Sequence, residues 1–175
     1  MFVMIRLNRS SGVTLVELLV VLVIAAILLV VGVPAFTSFV NDTKLSSNLA
    51  QLVSDLNQTR SEAIKRNTRV LICVRNSAGT DCGTGTNWQN GWLVCYDANN
   101  DDACDTSTAS NPNPINKRLA LAGNLSLTGP AAVVRFNPNG TQGTGGAAIF
   151  TLTGTWAGAA SRTVTIAATG NISRN

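Results

Sequence analysis

The stretch Gly12-Val13-Thr14-Leu15-Val16-Glu17, with the apolar run 18–33 directly after it, decides the fold. No charged residue lies between Leu18 and Asn41. At about 1.5 Å per residue, a helix of this length crosses a hydrocarbon layer of roughly 30 Å. Glu17 is the lone carboxylate at the head of the run. Because a carboxylate at the edge of a bilayer is costly unless it is paired, we expect Glu17 to have a functional role.

A helical pattern continues beyond the apolar run. Apolar or small residues recur at alternating steps of four and three, as on the buried face of an amphipathic helix. This stripe consists of Leu45, Leu49, Leu52, Leu56, Thr59 and Ala63. The charged residues that fall off the stripe are Lys44, Asp55, Arg60, Glu62, Lys65 and Arg66. We therefore predict one helix over 13–66, with 13–36 as a transmembrane segment or filament core. Pro34 should kink it, because proline removes an intrahelical hydrogen bond.

From Thr68 the pattern changes to a period of two residues, which predicts β-strands. The predicted strands span 69–74, 91–96, 118–121, 125–128, 133–136, 148–153 and 163–168. Gly140 closes a predicted turn, 137–140, because glycine accepts a positive φ. The predicted fold class is α+β: a long N-terminal helix packed against an antiparallel sheet or sandwich. The globular β domain is expected over 67–175.

The composition disfavours catalysis. The 175 residues include no histidine, which excludes histidine-based triads, histidine metal sites and the commonest general base. Serines and threonines are numerous, but no base accompanies them in the sequence. We expect a protein that is not an enzyme and needs no cofactor.

Four cysteines, Cys73, Cys82, Cys95 and Cys104, form two consecutive pairs with equal spacing. If this segment is exported, the compartment is oxidising and two disulfides are expected. The Cys-x₂-Cys spacing typical of structural zinc is absent. Pairing Cys73 with Cys82 and Cys95 with Cys104 would clamp two local loops. Pairing Cys73 with Cys95 and Cys82 with Cys104 is the alternative, if the first and third cysteines lie on neighbouring strands.

The segment Gly12 to Glu17, followed by an apolar run that contains Pro34, resembles the class III leader of type IV pilins and pseudopilins. The resemblance implies that residues 1–12 are a leader, that prepilin peptidase cuts between Gly12 and Val13, and that Val13 becomes N-methylated. The family usually has Phe at this position. The new ammonium of Val13 is a natural partner for Glu17 of a neighbouring subunit, and such a pair would set the axial register between helices.

Further segments resemble the FimT/FimU and GspH branch of minor pilins and pseudopilins. They are Arg60-Ser61-Glu62-Ala63, the pattern Cys73…Cys82…Trp88…Gly91-Trp92, and Phe136-Asn137-Pro138-Asn139-Gly140. The resemblance implies a structural subunit that primes or joins a pilus. Its partners would be other major and minor pilins, the prepilin peptidase, the inner-membrane assembly platform and, before assembly, membrane lipid. It would be a single-pass inner-membrane protein with a periplasmic globular domain, incorporated into a pilus or pseudopilus.

Two alternatives stand beside this interpretation. The first is a GspH-like minor pseudopilin of a type II secretion system. The second is a secreted binding module released by ordinary signal cleavage near Ala35, at the small-x-small site Val33-Pro34-Ala35. The length of the apolar run and the helical pattern that continues through Ala35 weigh against such a cleavage.

DNA uptake is a further hypothesis, since some FimT-like pilins bind DNA through a C-terminal Gly-Arg-x-Arg tail. The corresponding segment here, Gly170-Asn171-Ile172-Ser173-Arg174, lacks the first arginine. The C-terminal half is nevertheless basic, and cations displace counterions from nucleic acid. The candidates for a phosphate-contacting surface are Lys117, Arg118, Arg162 and Arg174; an ordinary solvated surface is the competing interpretation.

Two other kinds of site, a calcium loop and an aromatic platform, are also conceivable from the sequence. Asp97, Asn99 and Asp101 alternate as the first ligands of an EF-hand-like loop do, but the expected glycine and glutamate are missing. A solvated loop closed by Cys104 is favoured. The tryptophans are expected to pack in the core or under loops rather than to form a ligand platform; they are Trp88, Trp92 and Trp156.

Overall fold

The computed structural model describes residues 12–108, 112–143 and 145–175. These residues form one long helix and two antiparallel sheets. Helix α1 spans Leu15–Arg66. In these described ranges the strands are β1 Val70–Val74, β2 Trp92–Tyr96, β3 Asn116–Lys117, β4 Leu125–Thr128, β5 Val133–Phe136, β6 Ala148–Gly154, β7 Ser161–Ile166 and β8 Ile172–Arg174. A short 3₁₀ turn, Trp88–Asn90, precedes β2.

Each sheet has four strands. The order in the first sheet is β3-β2-β1-β5, and in the second it is β4-β6-β7-β8. All the pairings are antiparallel, with Ile72 opposite both Val94 and Val134 in the first sheet and Phe150 opposite Val164 in the second. The predicted α+β class, with a helix and antiparallel sheets, is confirmed.

The chain divides into two units, Met1–Val40 and Asn41–Asn175. The core of the second unit lies between the helix stripe and the two sheets. Trp88 is fully buried there and meets Phe150 edge-on, with ring centroids 4.7 Å apart. Each fully buried Leu or Phe stabilises the fold by roughly 1.5–3 kcal/mol. The stripe members Leu45, Leu49, Leu52, Leu56, Thr59 and Ala63 are all buried, as predicted.

A second, smaller cluster covers the other face of the first sheet. It consists of Leu71, Cys73, Leu93 and Cys95. The Cys73–Cys82 and Cys95–Cys104 disulfides fold the following loops over this face. This explains why β1 and β2 are buried at every position instead of alternating. The favoured cysteine pairing is confirmed and its alternative is wrong: Cys95 lies opposite Leu71, and Cys73 lies opposite Leu93.

Two strand predictions need correction. Residues 118–121 are not a strand; β3 ends at Lys117. The ladder with β2 stops there because the next partner beyond Trp92 is Gly91, whose φ of 96° is not extended. The last predicted strand, 163–168, lies at Ser161–Ile166 instead, and β8 was not predicted at all. A three-residue strand is too short to show alternation.

The first unit, described from Gly12 to Val40, is almost entirely helix. Its large apolar side chains are exposed, from 48% at Val20 to 79% at Leu15. Among the described residues, α1 is the helix that is long and apolar enough to cross a membrane. Apart from Gly12, the predicted leader lies outside the described residues. Pro34 lies inside α1, and the kink remains a prediction.

Candidate functional site

The beginning of α1 is shaped by a local cap. The hydroxyl of Thr14 accepts a hydrogen bond from the backbone N–H of Glu17 at 3.3 Å, and the carbonyl of Thr14 accepts one from Leu18 at 3.1 Å. This is the Thr-x-x-Glu spacing of a capping box. A carboxylate in the first turn is also favoured by the helix dipole. Local energetics therefore place Glu17 in the first turn of the helix, four residues after Val13.

The segment that follows carries an unusual surface. Glu17 is the sole charged residue from Gly12 to Asn41. The large apolar side chains of this segment are exposed in the structure. Soluble monomeric proteins rarely expose an apolar surface of this extent. The segment therefore requires lipid or other helices around it.

A buried carboxylate joins α1 to the first sheet. Asp55 is 1% exposed and accepts two hydrogen bonds from the guanidinium of Arg118, at 2.8 and 2.9 Å. It also accepts hydrogen bonds from Trp92 Nε1 at 3.0 Å, Asn116 Nδ2 at 3.1 Å and Gln51 Nε2 at 3.2 Å. The hydrogen bonds to Asp55 raise the pKa of Arg118. The sequence pattern placed Asp55 on the solvent side of the helix, which is wrong.

This pairing bears directly on the DNA hypothesis. The sequence makes Arg118 a candidate for contacting phosphate, but its Nε and Nη2 both donate to the carboxylate of Asp55. Its role in the structure is internal. This leaves Lys117, Arg162 and Arg174 as the candidates for contacting phosphate.

A second charged network lies at one end of the first sheet. Asp97 is fully buried and accepts a hydrogen bond from Arg69 Nε at 2.8 Å. Asp102 accepts hydrogen bonds from both Arg69 and Arg135. The hydrogen bonds from Arg135 hold the pKa of Asp102 below its ordinary value, and the same contact raises the pKa of Arg135. Every charge in this network is therefore balanced by an opposite one.

The calcium candidates belong to the loop that follows β2. Asp101 N–H donates to Asp97 Oδ1 at 3.0 Å and to Asn99 Oδ1 at 3.2 Å, and Ala103 N–H donates to Asp101 Oδ1 at 2.9 Å. These oxygens serve the loop's own backbone, and Asp97 is paired with Arg69. In the described part of the chain, the cluster spaced closely enough for a metal consists of disulfide-bonded cysteines. The geometry favours the solvated loop over the calcium site.

Residues 60–63, in the last turns of α1, contact the loops of the two sheets. Arg60 Nε donates to the carbonyl of Gly140 at 2.9 Å, and its Nη2 donates to that of Thr169 at 3.4 Å. Glu62 accepts a hydrogen bond from the hydroxyl of Tyr96 at 3.3 Å. These contacts tie the helix to the loops after β5 and β7 and to the end of β2.

The other DNA candidates fall on different sheets. Arg162 on β7 and Arg174 on β8 are both exposed and line one depression together with Ser46, Leu49 and Asn175. Lys117 lies on β3 of the first sheet. Arg75, which follows β1 directly, is not among the residues that the sequence indicates for DNA contact. It lies close to Lys117 because of the way in which β1, β2 and β3 pair. As expected, Trp88 and Trp92 are core residues, and Trp156 is partly buried against the core.

Comparison with known proteins gives a family and a fold. The family described as type II transport protein GspH matches residues 48–170, and the prokaryotic N-terminal methylation motif matches residues 7–33. A crystal structure of the type IV minor pilin FimU from Pseudomonas aeruginosa is similar, with a TM-score of 0.58 at 18% identity, over 78% of this chain and 92% of that one. A second crystal form gives a TM-score of 0.54 at 17% identity, over 74% and 91%. At these identities the likeness shows the fold alone. No curated protein matches significantly in sequence.

Proposed function

The chain belongs to the family of type II transport protein GspH, and on that premise we propose that it acts as a minor pilin of a type IV pilus. The matching family and the N-terminal methylation motif make the chain a minor type IV pilin or pseudopilin with a membrane-anchoring helix. Family membership implies processing by a prepilin peptidase and assembly with other pilins. The chain would be incorporated into the pilus, where its role is structural rather than enzymatic.

The exposed apolar segment, with Glu17 at its head, supports this function most directly. Before assembly, lipid of the inner membrane surrounds the segment, and the sheet unit lies in the periplasm. After assembly, helices of other pilins replace the lipid. The same apolar surface suits the membrane and the filament, because lipid tails are about as apolar as the side chains of neighbouring helices.

Glu17 gives the assembly its register. Cleavage after Gly12 creates an ammonium at Val13, and the first-turn carboxylate of a neighbouring helix is its partner. An unpaired carboxylate among packed apolar helices is costly, so a slipped register is disfavoured. Val13 is the residue that receives the methyl group, and the inner-membrane assembly platform would then extract the processed subunit.

Replacing Glu17 by Gln tests this role. The variant keeps the shape and the Thr14 cap but removes the charge. We expect membrane insertion and leader cleavage to persist while co-purification with other pilins from cross-linked membranes falls at least tenfold. Thr37→Val, a change on the same helix that adds no charge, is the control. Undiminished co-purification of Glu17→Gln would overturn the register role.

A second candidate function is a minor pseudopilin of a type II secretion system. The description of the matching family favours it. Deleting the gene separates the two functions: loss of surface pili with normal protein secretion supports the pilus. Loss of secreted proteins with normal pili supports the secretion system.

DNA uptake is the remaining part of the proposal. It is supported by Arg162 and Arg174, two exposed cations on neighbouring strands that line one depression. If they contact phosphates, binding of duplex DNA by the full chain in detergent weakens as salt rises. Replacing both arginines by glutamine should flatten this salt dependence. A salt dependence that stays the same removes these two residues from the hypothesis.

A further inference from the structure

Two cations converge over one glycine at the opposite end of the first sheet from the balanced network. Gly79 is buried, with a φ of 68°. A Cβ added there would meet Lys117 Nζ at 2.8 Å and Arg75 Nη1 at 3.1 Å. Both nitrogens thus lie within 3.1 Å of a single point, and they are separated by no more than about twice that distance. Gly79 has no side chain that would hold them apart.

The strand register explains the convergence. Lys117 lies opposite Leu93, and Leu93 lies opposite Cys73, so the three share one face of the sheet. Arg75 follows Cys73 by two residues and continues on the same face. The Cys73–Cys82 disulfide closes the intervening loop, which brings Gly79 back over the two cations. The strand register and the disulfide together therefore bring both cations to Gly79.

Neither cation has an ion-pair partner within the part of the chain that the structure describes. No carboxylate there lies within the 4.0 Å of an ion pair from either side chain. Asp81 is the sole acid between residues 75 and 96. Its Oδ1 accepts backbone hydrogen bonds from Cys82 at 2.6 Å and from Cys104 at 3.0 Å. At the other end of the sheet, by contrast, each arginine has an aspartate.

Arg75 is also held in place. Its Nε donates to the carbonyl of Asn90 at 3.0 Å, which fixes the plane of the guanidinium and directs Nη1 towards Gly79. Two fixed like charges repel each other, and an anion placed between them relieves that repulsion. An arginine fork beside a lysine point charge is a common set of donors for phosphate.

The surrounding loop is polar and almost without acid. Hydroxyl and amide side chains, together with Arg and Lys, are the groups that contact phosphate and sugar along nucleic acids. A set of them is exposed between β1 and β2: Ser77, Thr80, Thr84, Thr86, Asn87 and Asn90. Together with the cations they offer an open surface that suits an extended polyanion lying across it better than a small enclosed ligand.

We propose that Arg75 and Lys117, converging over Gly79, form a phosphate-contacting site for the backbone of a nucleic acid. This inference rests on the DNA-uptake part of the proposed function. It places the main contact with DNA on the first sheet, whereas Arg162 and Arg174 lie on the second. Such a site contacts the charged backbone and not the bases, so its affinity does not depend on the nucleotide sequence.

The test uses the full chain in detergent micelles and a labelled duplex oligonucleotide of mixed sequence, titrated at several salt concentrations. For Arg75→Gln with Lys117→Gln we expect at least a tenfold loss of affinity. The slope of log K against log salt should fall by roughly 0.9 for each cation removed. Arg75→Lys should keep most of the affinity because it retains the charge. The matched control is Lys44→Gln, which removes one exposed positive charge from α1 and should change the affinity less than twofold.

Each outcome has a distinct meaning. A double variant that binds as tightly as the wild type, with unchanged near-ultraviolet circular dichroism, overturns this site while leaving DNA uptake standing. If the wild type does not bind the duplex, the proposed site is wrong. Transformation frequency in cells then tests DNA uptake separately. If inorganic phosphate at millimolar concentration binds the wild type but not the double variant, while the double variant still binds the duplex as tightly as the wild type, the site binds a small anion and the nucleic-acid assignment is wrong.

Discussion

Replacing Arg118 by methionine should cost the folded state about 3 kcal/mol. Asp55 is 1% exposed, so without the guanidinium it becomes a buried charge with no cation beside it. Removing one partner of a buried ion pair typically costs about 3–5 kcal/mol. Trp92, Asn116 and Gln51 still donate to the carboxylate, and the Arg118 side chain is 36% exposed. These two facts place the estimate at the low end of that range.

The assay is urea unfolding of the oxidised full chain in micelles, followed through tryptophan fluorescence, with free energies from linear extrapolation. Lys44→Met is the control and should stay within about 0.5 kcal/mol of the wild type, because surface changes away from special contacts are small. Combining Arg118→Met with Asp55→Asn should recover part of the loss, since the amide removes the unpaired buried charge and its oxygen can still accept a hydrogen bond from Trp92 Nε1. A loss below about 1 kcal/mol for Arg118→Met would contradict this expectation, because it would mean that water replaces the guanidinium at Asp55.

Three further predictions concern the sheet unit. Replacing Cys73 and Cys82 by serine should destabilise the fold by roughly 2.5 kcal/mol, the chain-entropy value for a nine-residue separation, measured by the same unfolding assay. Because Arg135 holds the folded-state pKa of Asp102 below its ordinary value, this carboxylate stabilises the fold above that ordinary value and loses its contribution as pH falls through the folded pKa. Stability curves from neutral to acid pH should therefore be flatter for Asp102→Asn, by a modest amount because the side chain is partly exposed; identical curves would contradict this. Gly170→Ala should lower the melting temperature, since its φ is 79° and its Cβ would overlap a neighbouring carbonyl.

Local patterns in the sequence predicted the parts of the fold that depend on local physics. The stripe from Leu45 to Ala63 follows the helix period, and those residues are the buried ones. Cysteines nine residues apart close local loops, as the favoured pairing of Cys73 with Cys82 predicted. The α+β class follows from the change of period at Thr68.

Contacts between distant residues could not be predicted in this way. Asp55 falls off the helix stripe, and its burial depends on Arg118, which lies 63 residues further along the chain. Arg75 and Lys117 meet only through the register of β1, β2 and β3. The predicted strand over 118–121 failed because a glycine with positive φ interrupts its partner strand, and no local signal shows that pairing.

The residue at which the mature chain begins decides whether the apolar helix is kept. We expect this helix to remain part of the protein and to become its assembly surface after the leader is removed. Mass spectrometry of the protein isolated from membranes should find a chain that begins at Val13 and carries one added methyl group. A chain that begins at Phe36 would contradict the account, because cleavage after Ala35 would discard the apolar segment and release the sheet unit.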